Sequence, residues 1–177
     1  MNILAIETST RWLSVALRCA DGRVAERSVE SLTGGSALVL PWVDELLAEM
    51  QMEFAALGGI AFGAGPGSFT GLRLACGVAQ GLAFGLDLPV VGVSTLEALA
   101  LASGEARVFA CLDARMNEVY FATYAVSGRQ ATEIDAPRVA PPAEVALPAA
   151  PPAEVAVPVG EGGIGCGDGF ASYAAAL

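Results

Sequence analysis

The stretch Gly63-Ala64-Gly65-Pro66-Gly67-Ser68-Phe69-Thr70-Gly71-Leu72-Arg73 constrains this chain more than any other. A short apolar run, Leu57 to Phe62, precedes it, and Leu72 to Leu86 follows with small and apolar residues and almost no charge. The order is strand, glycine turn, helix. Ser68 is placed to cap the helix by accepting from a backbone N–H two or three residues on, and Gly85 to end it in a left-handed conformation. Glycines at 63, 65 and 67 let the backbone turn sharply and leave a helix N-terminus whose N–H donors face whatever lies above the strand. Such a turn can bind an anion, or it can be a close strand-to-helix packing turn with no ligand. Both readings stay open. It is not a Walker loop, because no Lys follows the glycines and the spacing differs.

At 177 residues the chain is one large domain or two small ones, with enough apolar sequence for a core. The N-terminal Met1 to Glu7 lacks a basic region and meets an acid early, so it does not read as a signal peptide. Leu74 to Leu86 is too short and too rich in Gly and Ala to read as a membrane span. A cytoplasmic protein without a membrane partner is expected. Cysteines at 19, 76, 111 and 166 show no paired spacing and are expected to be reduced, mostly buried and metal-free. The absence of histidine removes His-based acid/base chemistry, the Ser-His-Asp triad and every His-containing metal site. Net charge is −10, and all nine basic residues are Arg. A surface this acidic repels phosphate backbones, so any nucleic-acid role needs a basic partner.

Along the chain, Asn2 to Thr8, Leu13 to Arg18 and Arg23 to Leu32 read as three antiparallel strands, the last two joined at Asp21-Gly22. Thr8-Ser9-Thr10 can hydrogen-bond a phosphate or satisfy its own turn, and the turn reading is favoured. A helix follows from 36 to 52, with Val39, Val43, Leu46, Leu47 and Met50 at helical spacing and Leu38, Leu40 and Trp42 widening the apolar face. Pro41 belongs at or near its first turn. The second helix, 69 to 85, carries Leu72, Ala75, Cys76, Val78, Ala79, Leu82, Ala83 and Phe84 around almost its whole circumference, with Arg73 and Gln80 its only long polar side chains. A helix apolar all round is covered on two sides. Gly71, Ala75, Gly77, Ala79 and Gly81 would let another helix approach closely, and a partner subunit is favoured over the protein's own second domain as the cover.

Val90 to Val93 reads as a buried strand, and Ser94-Thr95-Leu96-Glu97 as a capping box opening a helix that Gly104 closes. Strands return at Val108 to Leu112 and Glu118 to Val126. Asp113, between them, can orient a ligand or cap its turn, and the cap is favoured. Seven of the ten prolines gather between Ala136 and Pro158, where Pro141 to Pro148 is nearly repeated at Pro151 to Pro158. This segment reads as irregular or extended, with a helical turn at each Pro-Pro-Ala-Glu. Six glycines fall between Gly160 and Gly169, and Gly167-Asp168-Gly169 can approach a nucleotide or simply bring chain ends together. The division expected is a first domain over 1–103 and a smaller second one over 104–177.

Ile3 to Thr10, Gly65 to Arg73, Gly92-Val93-Ser94-Thr95-Leu96, Asp113-Ala114-Arg115 and Glu118-Val119-Tyr120 together resemble the TsaB (YeaZ) family. The likeness spans residues 1 to about 126 in the right order. It implies an α/β fold of the actin-like, Hsp70-like ATPase (ribonuclease H-like) kind, with two related domains, the second small. It also implies a non-catalytic subunit of the bacterial machinery that makes threonylcarbamoyladenosine in tRNA. Such a subunit pairs with a TsaD-like transferase through helices 36–52 and 69–85, is joined by a TsaE-like ATPase, meets tRNA only through the complex, and can self-associate when alone.

The interface residues implied are Val39, Trp42, Val43, Leu46, Leu72, Arg73, Ala75, Cys76, Ala79 and Leu82. No catalytic or metal-binding residue and no required cofactor are expected. ATP or ADP at the subunit seam would use Thr8, Ser9, Thr10, Gly65, Gly67, Ser68, Gly167 and Gly169 as its loops. The competing reading is an independent ATP-binding or phosphotransfer enzyme of the same superfamily, with Glu7 and Asp113 as the acids nearest to holding Mg²⁺. Three features depart from the family pattern. Gly35 stands where members often carry His, the proline-rich repeat is foreign to it, and members usually continue past the Gly-x-Gly and Tyr segment.

Overall fold

The computed structural model describes residues 1–30, 35–145, 157–159, 163–173 and 176. Two compact units divide the chain, Met1–Val93 and Ser94–Leu177. The boundary expected after residue 103 is therefore corrected to Val93/Ser94. The helix that follows Ser94 packs on the second sheet, which places it in the second unit.

The first unit is a five-stranded mixed sheet in the order β3-β2-β1-β4-β5. Strands β1 (Ile3–Glu7), β2 (Trp12–Arg18) and β3 (Val24–Glu30) form the antiparallel meander that the alternation and the Asp21-Gly22 turn predict. Gly22 takes φ +96°, and Asp21 accepts from the Arg23 N–H. β4 (Gly59–Gly63) and β5 (Val90–Val93) run parallel to β1.

Leu4, Ile6, Leu13, Val15, Leu17 and Ile60 point to one face, where α1 (Val39–Glu49) and α2 (Phe69–Leu86) cover them. A one-turn 3₁₀ segment, Gly35–Leu38, with Gly35 buried, leads into α1, and Pro41 sits in the first turn of α1, where its missing N–H costs nothing. α2 runs 18 residues and is long and apolar enough to cross a membrane, yet it lies on the sheet through Ala75, Ala79 and Ala83. It does not end at Gly85. Asp87 takes the left-handed conformation (φ +53°) and its N–H bonds to the Ala83 carbonyl.

The second unit has the sheet order β8-β7-β6-β10-β9. β6 (Arg107–Arg115), β7 (Glu118–Ser127) and β8 (Gln130–Ala140) form a meander, β10 (Gly163–Cys166) lies parallel to β6, and β9 (Val157–Val159) pairs antiparallel with β10. This sheet is covered on both faces. α3 (Thr95–Ala102) buries Leu96 and Ala100 against Val108, Ala110 and Tyr124, while α4 (Asp168–Ser172) brings Phe170 against Phe109 and Cys111. That double burial is why residues 108–112 read as an unbroken apolar run.

In both units an antiparallel three-stranded meander is followed by a strand parallel to its first member, then by a glycine turn and a helix. This repeat gives the actin-like, ribonuclease H-like α/β arrangement of two related halves. β8 makes the first proline-containing part of that segment extended, the second of the two readings open to it. The first Pro-Pro-Ala-Glu does make a 3₁₀ turn, Pro142–Glu144, whereas the second copy, at 151–154, lies outside the described residues.

Candidate functional site

The glycine turn and the hydroxyl turn meet at one end of the first sheet. β1 ends at Glu7, and Thr8 and Ser9 fold under the start of α2. The Thr8 hydroxyl donates to the Gly71 carbonyl at 2.6 Å, and the Ser9 carbonyl accepts from the Ser68 N–H at 2.6 Å. The Ser68 hydroxyl then caps α2 by accepting from the Gly71 N–H at 3.4 Å. Leu72 donates to the Ser68 carbonyl in the first helical turn.

The fit is tight enough to require glycine at two places. A Cβ on Gly71 would overlap the Thr8 carbonyl, and one on Gly67 would overlap Ser9. Gly65 has φ +96° and packs against Leu72. Gly63 leaves room for the Glu7 carboxylate, which accepts from the Ser9 N–H. Thr8, Ser9, Gly65, Gly67 and Ser68 are thus brought together, with close packing accounting for Gly67 and a positive φ for Gly65. Thr10 turns away, exchanging hydrogen bonds with the backbone of Trp12.

The second unit repeats the device. Gly167 (φ +117°) and Gly169 lie against Cys111 of β6, where a Cβ on either would overlap Cys111. Asp113 accepts from the Arg115 N–H at 2.8 Å, from the Tyr173 hydroxyl at 3.0 Å and from the Ser172 hydroxyl at 3.3 Å. Its own N–H donates to Asp168. Asp113 is therefore a capping and clasping residue, as the favoured reading has it. Desolvation and the hydrogen bond to Asp113 push the Tyr173 phenol above its ordinary pKa. Burial pushes the Cys111 and Cys166 thiols up to about 12, so neither is a nucleophile. Among the described residues no three Cys, Asp or Glu side chains converge as a metal site.

The helix surfaces correct part of the expected interface. Val39, Val43 and Leu46 on α1 and Ala75 and Ala79 on α2 are fully buried in the first unit's own core, where they face the sheet and present nothing outward. Trp42, Leu72, Cys76 and Leu82 are half-buried, and Arg73 is exposed with its guanidinium 3.7 Å above the Phe69 ring. The outward face of α2 is made of residues that the expected set omits: Phe69 (67 % exposed), Gly77, Gln80, Gly81 and Phe84 (94 % exposed). A Cβ on Gly77, Gly81 or Gly85 would meet nothing within 4 Å. The spacing of these glycines, one every four residues, was the signal in the sequence. On α1, Leu40 is half exposed.

Comparison with known proteins places this geometry. Residues 35–162 match the family described as "TsaD: tRNA N6-adenosine threonylcarbamoyltransferase". The "tRNA threonylcarbamoyladenosine biosynthesis protein TsaB" of Haemophilus influenzae is 45 % identical over 125 residues, which cover 68 % of this chain and 52 % of that protein. The protein of the same name from Escherichia coli is 44 % identical over 128 residues, covering 70 % and 55 %. The chain spans about half the length of these curated relatives. Among solved structures, "YeaZ from Pseudomonas aeruginosa" superposes with a TM-score of 0.76 at 42 % identity, covering 83 % of this chain and 70 % of that one. A second, described as an uncharacterized protein with similarity to peptidase YeaZ from Pseudomonas aeruginosa, reaches a TM-score of 0.84 at 38 % identity, covering 99 % and 79 %.

Proposed function

The chain belongs to the TsaB (YeaZ) family, and from that premise we propose that it is a non-catalytic scaffold and activator subunit of the bacterial complex that adds a threonylcarbamoyl group to adenosine in tRNA. It binds a TsaD-like transferase through the outward face of α1 and α2, admits a TsaE-like ATPase to the assembly, and reaches tRNA only through the complex. It self-associates over the same face when the partner is absent, and it works in the cytoplasm.

One observation carries this reading. α2 keeps three glycines in a row along its open face, each about 1 kcal/mol worse than alanine inside a helix, and the described residues contain nothing that needs them. A second helix backbone drawn close over Gly77, Gly81 and Gly85, with Phe84 and Phe69 buried at its flanks, accounts for both the glycines and the exposed rings. A standard interface buries about 800 Å² on each side.

The non-catalytic part rests on the turn at the start of α2. The Ser68 and Gly71 N–H groups there bond to Ser9 and Ser68, and the glycine contacts are filled by Thr8 and Ser9. A nucleotide is accordingly not required by this subunit alone, and the place for ATP or ADP in this reading is the assembled seam.

Light scattering behind size exclusion tests the proposal, with the chain alone and mixed with its TsaD-type counterpart. A one-to-one complex replacing the free species is expected. A chain that ignores that protein and hydrolyses ATP would establish the independent enzyme instead, with Thr8, Ser9 and Gly67 at its phosphate loops.

A further inference from the structure

Resting on the docking reading above, the geometry points to the groove between the C-terminal ends of α1 and α2 as the seat of a Lys or Arg side chain from the protein partner. The groove is open to solvent, holds about 550 Å³, and is lined by buried Leu47 and half-buried Phe54 and Leu86, which make its apolar floor, and by exposed Asp44 and Glu53, which make its lip.

The two flanks of α1 differ in charge balance. On one flank Glu45 and Glu49 share Arg27, at 3.4 and 2.6 Å, which leaves one net negative charge there. On the groove flank, Asp44 and Glu53 make no ion pair among the described residues. An apolar floor with an acidic lip matches a long basic side chain, whose aliphatic stem lies on apolar surface while its charged end stays at the rim. Leu40, one turn before Asp44 on the helix, extends the apolar surface for the neighbours of that residue.

Polar groups at the lip alone, with a wide mouth, suit an interface anchor better than an enclosed small-molecule site, whose polar groups converge inside. A second copy of this chain, at net charge −10, is a poorer electrostatic match than a basic partner surface.

Titration calorimetry against the TsaD-type subunit, at low and at high salt, tests the inference with Asp44→Lys/Glu53→Lys, with Ala48→Trp, which fills the groove from an exposed position, and with Gly81→Leu as a probe of the helix seam. Circular dichroism confirms that each variant is folded. The double reversal should weaken binding at least tenfold (about 1.4 kcal/mol) and abolish most of the salt dependence, and Ala48→Trp should weaken it about as much. Wild-type affinity in both groove variants, while Gly81→Leu fails to bind, overturns the groove inference and leaves the docking reading intact. No binding by the wild-type chain overturns both. Groove variants that alter only self-association assign the groove to a second copy and overturn the partner assignment.

Discussion

Single residues decide how tightly the first unit closes. Gly71 lies directly against the Thr8 carbonyl, which is backbone and cannot swing aside. Gly71→Ala should therefore destabilise the protein by about 3 kcal/mol, at the upper end of overpacking costs, read as a lowered denaturant midpoint in urea. The thiols give a pH-dependent counterpart. Cys111 and Cys166 have folded-state pKa values of about 12, against an ordinary value of 9.0. The fold thus favours the protonated form. Its contribution is fully present below pH 9 and is lost as pH rises toward 12, at a limit of about 4 kcal/mol per thiol. Stability should fall through that alkaline window, and Cys111→Ala/Cys166→Ala should flatten the fall. In native protein at pH 8, maleimide should label Cys76, the one cysteine that is not buried. Caps were legible at this scale because Ser68 and Ser94 have one geometric use, accepting from the N–H three residues on. The end of α2 was not, because Asp87 adopts a left-handed conformation that glycine usually takes, and Gly85 serves the open face instead.

At the scale of the element, α2 shows what periodicity conveys and what it omits. Its apolar residues cover the whole circumference, so a need for two covers was readable, but hydropathy does not distinguish the side packed on the sheet from the side left open. The structure assigns Ala75, Ala79 and Ala83 to the sheet and Gly77, Gly81 and Gly85 to the other side. The two sets answer substitution in opposite ways. Gly77→Ala/Gly81→Ala meets no neighbour and removes two helix-interior glycines, so the isolated chain should gain about 1–2 kcal/mol, seen as a higher midpoint of thermal unfolding. The same double variant should bind the TsaD-type subunit more weakly, because each methyl keeps the opposing backbone away. A variant that is both more stable and equally well bound would remove the close helix approach. β8 was illegible for a different reason. Most of its residues are exposed on both faces and it contains Pro137, so neither alternation nor an apolar run marks it; it exists because β7 supplies a ladder for it.

On the scale of the whole chain, two units share a three-stranded meander with a parallel fourth strand, without an internal sequence repeat that would announce it, and they differ in the fifth strand, β5 lying parallel to β4 and β9 antiparallel to β10. The shared element is a meander whose first strand accepts a parallel neighbour, and the glycine turns after β4 and β10 are its closest local trace. Charge belongs to this scale as well. Of the nine arginines, Arg11, Arg23, Arg27 and Arg115 are paired with acids, and Arg73 and Arg138 lie over phenylalanine rings. The remaining basic charge is too little, in a chain of net charge −10, to offset repulsion from a phosphate backbone. The chain alone should consequently leave tRNA unshifted in native gels at ~10 µM and physiological salt, a concentration at which non-specific binders with Kd of about 10⁻⁶ M are retarded. In a mixture with the TsaD-type subunit it should comigrate with tRNA, and Gly81→Leu should lose that comigration while the TsaD-type subunit keeps its own. Retention of tRNA by the chain alone would contradict indirect recruitment and would require a basic surface that these arginines do not form.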